Sequence, residues 1–310
     1  MIIDWKDYVD QIYCITFHNR SKDYLYEELK RVDILNSGIY YEFENISTPF
    51  YKILYDTLFG DQFKDTEILK YSYRYDCTMA HYYCMKHAQQ NGYKKILILE
   101  NDVVFLKNKK DIVEILEHSN IVNCFSDKGY IFLGSAAHPI YFYNEERKNG
   151  RNTCYQCTKE VDYDILKFNK DITISGGAAF NIYDDKAYNY FIDFIENKNF
   201  DVIDIYHRIY DLNQINIYFS NTYVCIQEDW FGLFLNACYN YPFDIDKKER
   251  YLNHIFEDYC EYSDEFDIWA HPLLFNEINQ FMYDNSLTEN DYINKINEYN
   301  NKINENNNLT

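Results

Sequence analysis

The chain has 310 residues, with 30 Lys and Arg against 50 Asp and Glu, a formal net charge of −20, 47% hydrophobic residues and 19% aromatic ones. That much apolar material excludes wholesale disorder and suffices for one large core. The acidic excess excludes a nucleic-acid partner, whose phosphates it would repel, though not a nucleotide bound through a cation.

Gln11 to Phe17 reads as a first strand, ending in the polar turn His18 to Ser21. Ser21 is placed to cap a helix running through Tyr24, Leu25, Leu29, Val32 and Leu35, with Gly38 as its stop. Ile39 to Phe43 reads as a second strand, and residues 46–70 as an irregular, partly helical connection. Met79, Tyr82, Tyr83, Met85 and Ala88 give residues 73–90 a helical spacing, which Gly92 closes.

The most informative stretch follows. Ile96-Leu97-Ile98-Leu99 is a continuous aliphatic run, the pattern of a strand buried on both faces of a mostly parallel sheet. It stops at Glu100-Asn101-Asp102, which places two carboxylates at the carboxyl end of a strand. Ligands bind at that edge of open α/β sheets. Oxygen-only ligands suit Mg²⁺ or Mn²⁺, which complete their shells with substrate phosphates. The plain alternative is a solvated loop or a helix N-cap.

A helix over residues 110–118 and a strand over 130–133 come next, the strand ending at Gly134-Ser135. This alternation predicts a parallel sheet wrapped by helices. Residues 138–170 read as an excursion over the active edge, and Asp171 to Ile174 as a strand running into Ser175-Gly176-Gly177. Asp184 or Asp185 then caps a helix through Phe191, Ile192, Phe194 and Ile195. The chain divides into a domain over residues 1–284, carrying a C-terminal extension, and an Asn-rich low-complexity tail over 285–310. The nine cysteines have no regular spacing, and a lone Cys154/Cys157 pair reads as reduced structural thiols. With no apolar leader and no membrane span, the expected setting is cytoplasmic, with peripheral membrane contact left open.

Four blocks, in this order, resemble glycosyltransferase family 25, the lipooligosaccharide and collagen galactosyltransferases. They are Ile12 to Phe17 with Arg20, similar to "I-Y-V-I-N-L" followed by arginines; Asp76 to His81, similar to "G-C-x-x-S-H"; Ile96 to Phe105, similar to "L-I-L-E-D-D-V-x-F"; and Phe132 to Ser135 with Ser175 to Ile182, similar to "L-G-S" and "G-T-x-A-Y-x-I-S". The chain departs from the pattern at Thr16, at Ala80, at Asn101 and in lacking the second arginine of the first turn.

The resemblance implies a GT-A-like, mostly parallel sheet flanked by helices, and a UDP-sugar donor, usually UDP-galactose. It further implies Mn²⁺ or Mg²⁺, inversion at the anomeric carbon, and a glycan or hydroxylated peptide acceptor. A catalytically inactive relative, acting as a sugar-binding or scaffold module, is the alternative. On the enzymatic reading Asp102 is the principal metal ligand, and Glu100 binds the metal through water or holds the donor ribose. Asn101 is placed to hydrogen-bond a sugar hydroxyl. His81 lies on a helix face with Cys77 and Cys84, as a donor contact or a core residue. Arg20 pairs with the diphosphate or sits in a surface salt bridge. Gly176 and Gly177 admit the sugar or acceptor closely, or make a tight turn. The candidates for the base that deprotonates the acceptor are Asp204, which resembles the family's "V-D" aspartate, and the pair Glu228 and Asp229. His271 is a late-chain candidate ligand or a surface histidine.

Overall fold

Strands that are apolar at every position must be covered on both faces, and here helices lie on either side of one sheet. The computed structural model describes residues 4–17, 22–45, 72–118, 128–136, 141–142, 165–167, 178–197, 199, 203, 209–220, 223–240, 267–268, 272–285, 290–291, 293–294 and 297. Its strands are β1 (Gln11–Phe17), β2 (Tyr40–Asn45), β3 (Lys95–Glu100), β4 (Val103–Phe105), β5 (Gly129–Leu133), β6 (Ser135–Ala136), β7 (Tyr141–Phe142), β8 (Ile165–Lys167), β9 (Phe180–Asp184), β10 (Ile215–Ser220), β11 (Cys225–Gln227) and β12 (Asp267–Ile268). The helices are α1 (Lys22–Arg31), α2 (Ser72–Asn91), α3 (Lys109–His118), α4 (Asp185–Glu196), α5 (Glu228–Asn240) and α6 (Pro272–Asp284).

The main sheet has seven strands in the order β2-β1-β3-β9-β5-β10-β8. Period-two alternation sorts its side chains. Tyr13, Ile15, Ile96, Ile98, Ile131 and Tyr183 share one core with α2 and α4. Ile12, Cys14, Leu97, Leu99, Phe132 and Ile182 share the other with α1 and α3. The protein is therefore an α/β protein with a mixed, mainly parallel central sheet flanked by helices.

The expected parallel alternation needs correcting at two strands, the edge strand β8, which is antiparallel to β10, and β9. Strands β2, β1 and β3 run parallel, as do β5 and β10. However, β9 lies between β3 and β5 and is antiparallel to both. The reason is where the chain re-enters. The Gly134 N–H donates to the Phe180 carbonyl at 2.9 Å, so β9 starts at the edge where β5 stops. A strand entering from that edge can only run back across the sheet.

Local signals set several ends. Gly92 takes φ +70° and closes α2 as expected, with Tyr93 N–H on the Ala88 carbonyl and Gly92 N–H on that of Gln89. Helix α1 is stopped earlier than Gly38. Asp33 adopts φ 60°, while Ile34 N–H reaches the Leu29 carbonyl and Asp33 N–H that of Lys30. An aspartate tolerates this left-handed position because its side chain can bond locally, here accepting from Asn36. Asp184, one of the two expected caps, is the N-cap of α4 and accepts from Ala187 N–H. The predicted strand over 171–174, the 46–70 connection and the Cys154/Cys157 pair lie outside the described residues.

A second sheet, β4-β11-β6, springs from the same edge. Strand β11 runs antiparallel to β4 and parallel to β6. Helix α1 seals the other side of β4. Glu28 accepts from Phe105 N–H at 2.8 Å, and Arg31 donates to the Phe105 carbonyl. The C-terminal helix α6 docks on this unit, with Phe281 edge-on to Phe231 and the Arg31 guanidinium 5.4 Å from the Phe281 ring centre. Among the described residues no helix is long and apolar enough to cross a membrane.

Two tests follow from this packing. A Cβ on Gly134 would lie 2.5 Å from the ring of fully buried Phe180, which packs edge-on to Phe105. Gly134→Ala should cost about 1–3 kcal/mol, read by urea unfolding, and an unchanged midpoint would refute the close approach. The Asp184 carboxyl is pushed from 3.8 to about 6 by burial, against the opposing pull of the Ala187 and Tyr130 N–H donors. A raised acid favours the fold below pH 3.8, and that advantage disappears as pH rises through 6. Asp184→Asn keeps the acceptor oxygen, so it should gain on the order of 1–3 kcal/mol at pH 7 and nothing near pH 4.

Candidate functional site

The Glu100-Asn101-Asp102 turn is the joint at which the chain leaves the main sheet for the small one. Ile96 and Ile98 face α2, and Glu100 continues that row, so the strand ends by aiming a carboxylate beneath the helix. Helix α2 answers with two side chains one turn apart. Cys77 Sγ donates to Glu100 Oε1 at 2.7 Å, and His81 Nε2 lies 3.3 Å from the same oxygen. Gln227 Nε2, at the end of β11, donates to Glu100 Oε2 at 3.2 Å. His81 is fully buried, Glu100 and Asn101 are nearly so, and Cys77, Asp102, Gln227 and Glu228 are half-buried.

Burial alone would push the Glu100 carboxyl up. The hydrogen bonds from His81, Cys77 and Gln227 outweigh it and hold the group below the ordinary glutamate value. The backbone closes the same joint. Glu228 N–H donates to the Asp102 carbonyl at 2.7 Å, and Glu100 N–H to that of Ala179 at 3.3 Å.

The structure thus gathers Glu100, Asn101, Asp102, His81 and Glu228 of the expected residues. Helix α5 includes Asp229, whose side chain is outside the described set. Arg20, Gly176, Gly177, Asp204 and His271 lie outside the described residues. Ile203, the residue before Asp204, is buried and donates its N–H to Thr78 Oγ1 of α2 at 3.0 Å. Glu42, at the neighbouring end of β2, is engaged by Lys22, Tyr26 and Thr16.

The donor chemistry separates the two acids of the strand end. Among the described residues, the metal-ligating atoms that lie within 4.8 Å of one another belong to Cys77, His81 and Glu100, without Asp102. Asp102 is felt instead at Cys225, in the opposite core, whose thiol is pushed up by burial first and then by the Asp102 charge. A hard cation such as Mg²⁺ or Mn²⁺ wants oxygen ligands. Asp102 fits that demand. Glu100 already accepts two bonds from α2 on Oε1 and one from Gln227 on Oε2. Cys77 and Gln227 were not among the expected functional residues. The spacing of Cys77 and His81 is visible in the sequence, whereas the Gln227 contact spans 127 positions and has no local signal.

No protein-family model and no curated protein matches the chain. Among solved structures it is similar to A197 from STIV at 12% identity and a TM-score of 0.30, over 67% of this chain and 81% of that one. A likeness of that size bears on neither fold nor activity.

A glutamate lowered in the fold contributes stability above its ordinary value of 4.5, lost as pH falls through the folded value. Gln227→Leu removes one of the donors responsible. It should shift acid unfolding to higher pH and cost about 1–3 kcal/mol at pH 7, measured by denaturant titration. An unaltered acid midpoint would show that Gln227 does not hold the carboxylate.

Proposed function

We propose that the chain is a metal-dependent inverting glycosyltransferase of GT-A architecture. It would move a hexose, galactose first among the candidates, from a UDP-sugar to a glycan or hydroxylated side-chain acceptor. The observation that supports this reading is the joint itself. An acid-amide-acid turn stands at the carboxyl edge of parallel strands, where ligands of open α/β sheets sit, and residues from β11 and α5 hold it in place. The four sequence blocks of the family-25 resemblance supply the reaction class.

A divalent cation at this edge would neutralise the charge that develops on a departing diphosphate. On this reading Asp102 is its protein ligand. Glu100 acts as the brace that fixes the turn, because both of its oxygens are already engaged. Asn101 is the neighbouring amide for a sugar hydroxyl. Glu228, whose N–H is bonded to the Asp102 carbonyl at the start of α5, is taken as the base among the candidates Asp204, Glu228 and Asp229. Its carboxylate accepts the acceptor's hydroxyl proton as that oxygen bonds to the anomeric carbon and the bond to UDP breaks.

Asp102→Ala should retain the wild-type circular dichroism spectrum yet lower Mn²⁺-dependent UDP release from a UDP-sugar panel by about 100-fold or more. Wild-type turnover indifferent to EDTA, or an active Asp102→Ala protein, would remove the reading. Calorimetry with UDP and Mn²⁺ showing no linked binding would favour the scaffold alternative.

A further inference from the structure

The Cys77, His81 and Glu100 cluster braces the turn, and its donor set also has the chemistry of a metal site that no hard cation needs. From it we infer that the protein carries a separate site for a zinc-class divalent cation, bound between α2 and the end of β3. The donor set is one sulfur, one imidazole nitrogen and one carboxylate oxygen, all within 4.8 Å of one another. Tetrahedral Zn²⁺ with ordinary bond lengths puts such atoms about 3.3–3.6 Å apart. The observed 3.3 Å from His81 Nε2 to Glu100 Oε1 falls in that range, and the 2.7 Å from Cys77 Sγ to the same oxygen opens by under ~1 Å to admit an ion.

Thiolate and imidazole select Zn²⁺ over Mg²⁺ or Mn²⁺. The two helical ligands are pre-aligned, because residues four apart lie on one face. The third is fixed from behind, since Gln227 holds Oε2 and leaves Oε1 turned toward Cys77 and His81.

Charge supplies a further argument. When the ion enters, the Cys77 S–H proton leaves to solvent and the His81 ring proton shifts from Nε2 to Nδ1, so that Sγ–metal and Nε2–metal bonds replace the two hydrogen bonds to Oε1. One thiolate and one carboxylate then offset the two charges of the ion, so the loaded site is neutral, as a place this buried requires. Three protein ligands leave a fourth position, and Cys77, only half-buried, marks the side from which water or a small ligand reaches it. The inference does not depend on sugar transfer, because binding of the ion needs no donor.

The test uses the full chain, freed of metal by chelation and then offered Zn²⁺ or Co²⁺ alone. One equivalent of Zn²⁺ per chain should survive dialysis. The Co²⁺ form should show a thiolate-to-cobalt charge-transfer band with the visible absorption of a four-coordinate ion. Cys77→Ser should abolish the charge-transfer band, and Glu100→Gln should weaken binding at least 10-fold, whereas Cys84→Ser, one turn along α2 and outside the cluster, should leave the spectrum intact. Wild-type protein that retains no stoichiometric Zn²⁺ overturns the inference even if every variant misfolds. So does a charge-transfer band that persists in Cys77→Ser.

Discussion

A carboxylate shut away from water must find its hydrogen-bond donors inside the protein, and among the described residues those of Glu100 come from other elements. The thiol and imidazole come from α2 and the amide from β11. Burying that charge without them would cost several kcal/mol. The three donors therefore fix how the helix, the main sheet and the small sheet meet. Because the carboxylate belongs to the last residue of β3, the geometry of the following turn is settled along with it. The Glu228 to Asp102 backbone bond repeats the constraint one step along the chain.

The antiparallel strand β9 gives that joint its setting. Entering from the edge where β5 ends, it places Ala179 and Phe180 against Glu100 and Gly134. The Gly134 carbonyl in turn receives Val224 and Cys225 N–H, the start of the small sheet. Two sheets thus share a seam whose backbone groups are mutually satisfied, and the acid-amide-acid turn stands on it. A site on such a seam is held by elements from across the chain rather than by one loop.

The same joint divides two kinds of chemistry. On the α2 side the donors are sulfur, nitrogen and one carboxylate oxygen, and Asp102 lies outside that cluster. Thiolate and imidazole favour a zinc-class ion, whereas an all-oxygen site suits Mg²⁺ or Mn²⁺. A fold that carries both beside a strand end could keep one cation as a pin between helix and sheet and reserve the edge for a diphosphate-bound one.

The sequence by itself determined the elements that depend on local periodicity and turn chemistry. The first strand, the aliphatic run to Glu100, the helix closed by Gly92 and the Asp184 cap all stand where the pattern of residues puts them. Hydrophobic spacing and left-handed turns are properties of neighbouring residues, so they are legible along the chain. What only the tertiary structure decided is direction and partnership. It laid β9 antiparallel between β3 and β5, gave the stop of α1 to Asp33 instead of Gly38, turned Glu100 toward Cys77 and His81, and brought Gln227 from 127 positions away to hold it. Strand direction and the donors that reach a buried charge both depend on how distant elements pack, which no run of neighbouring residues records.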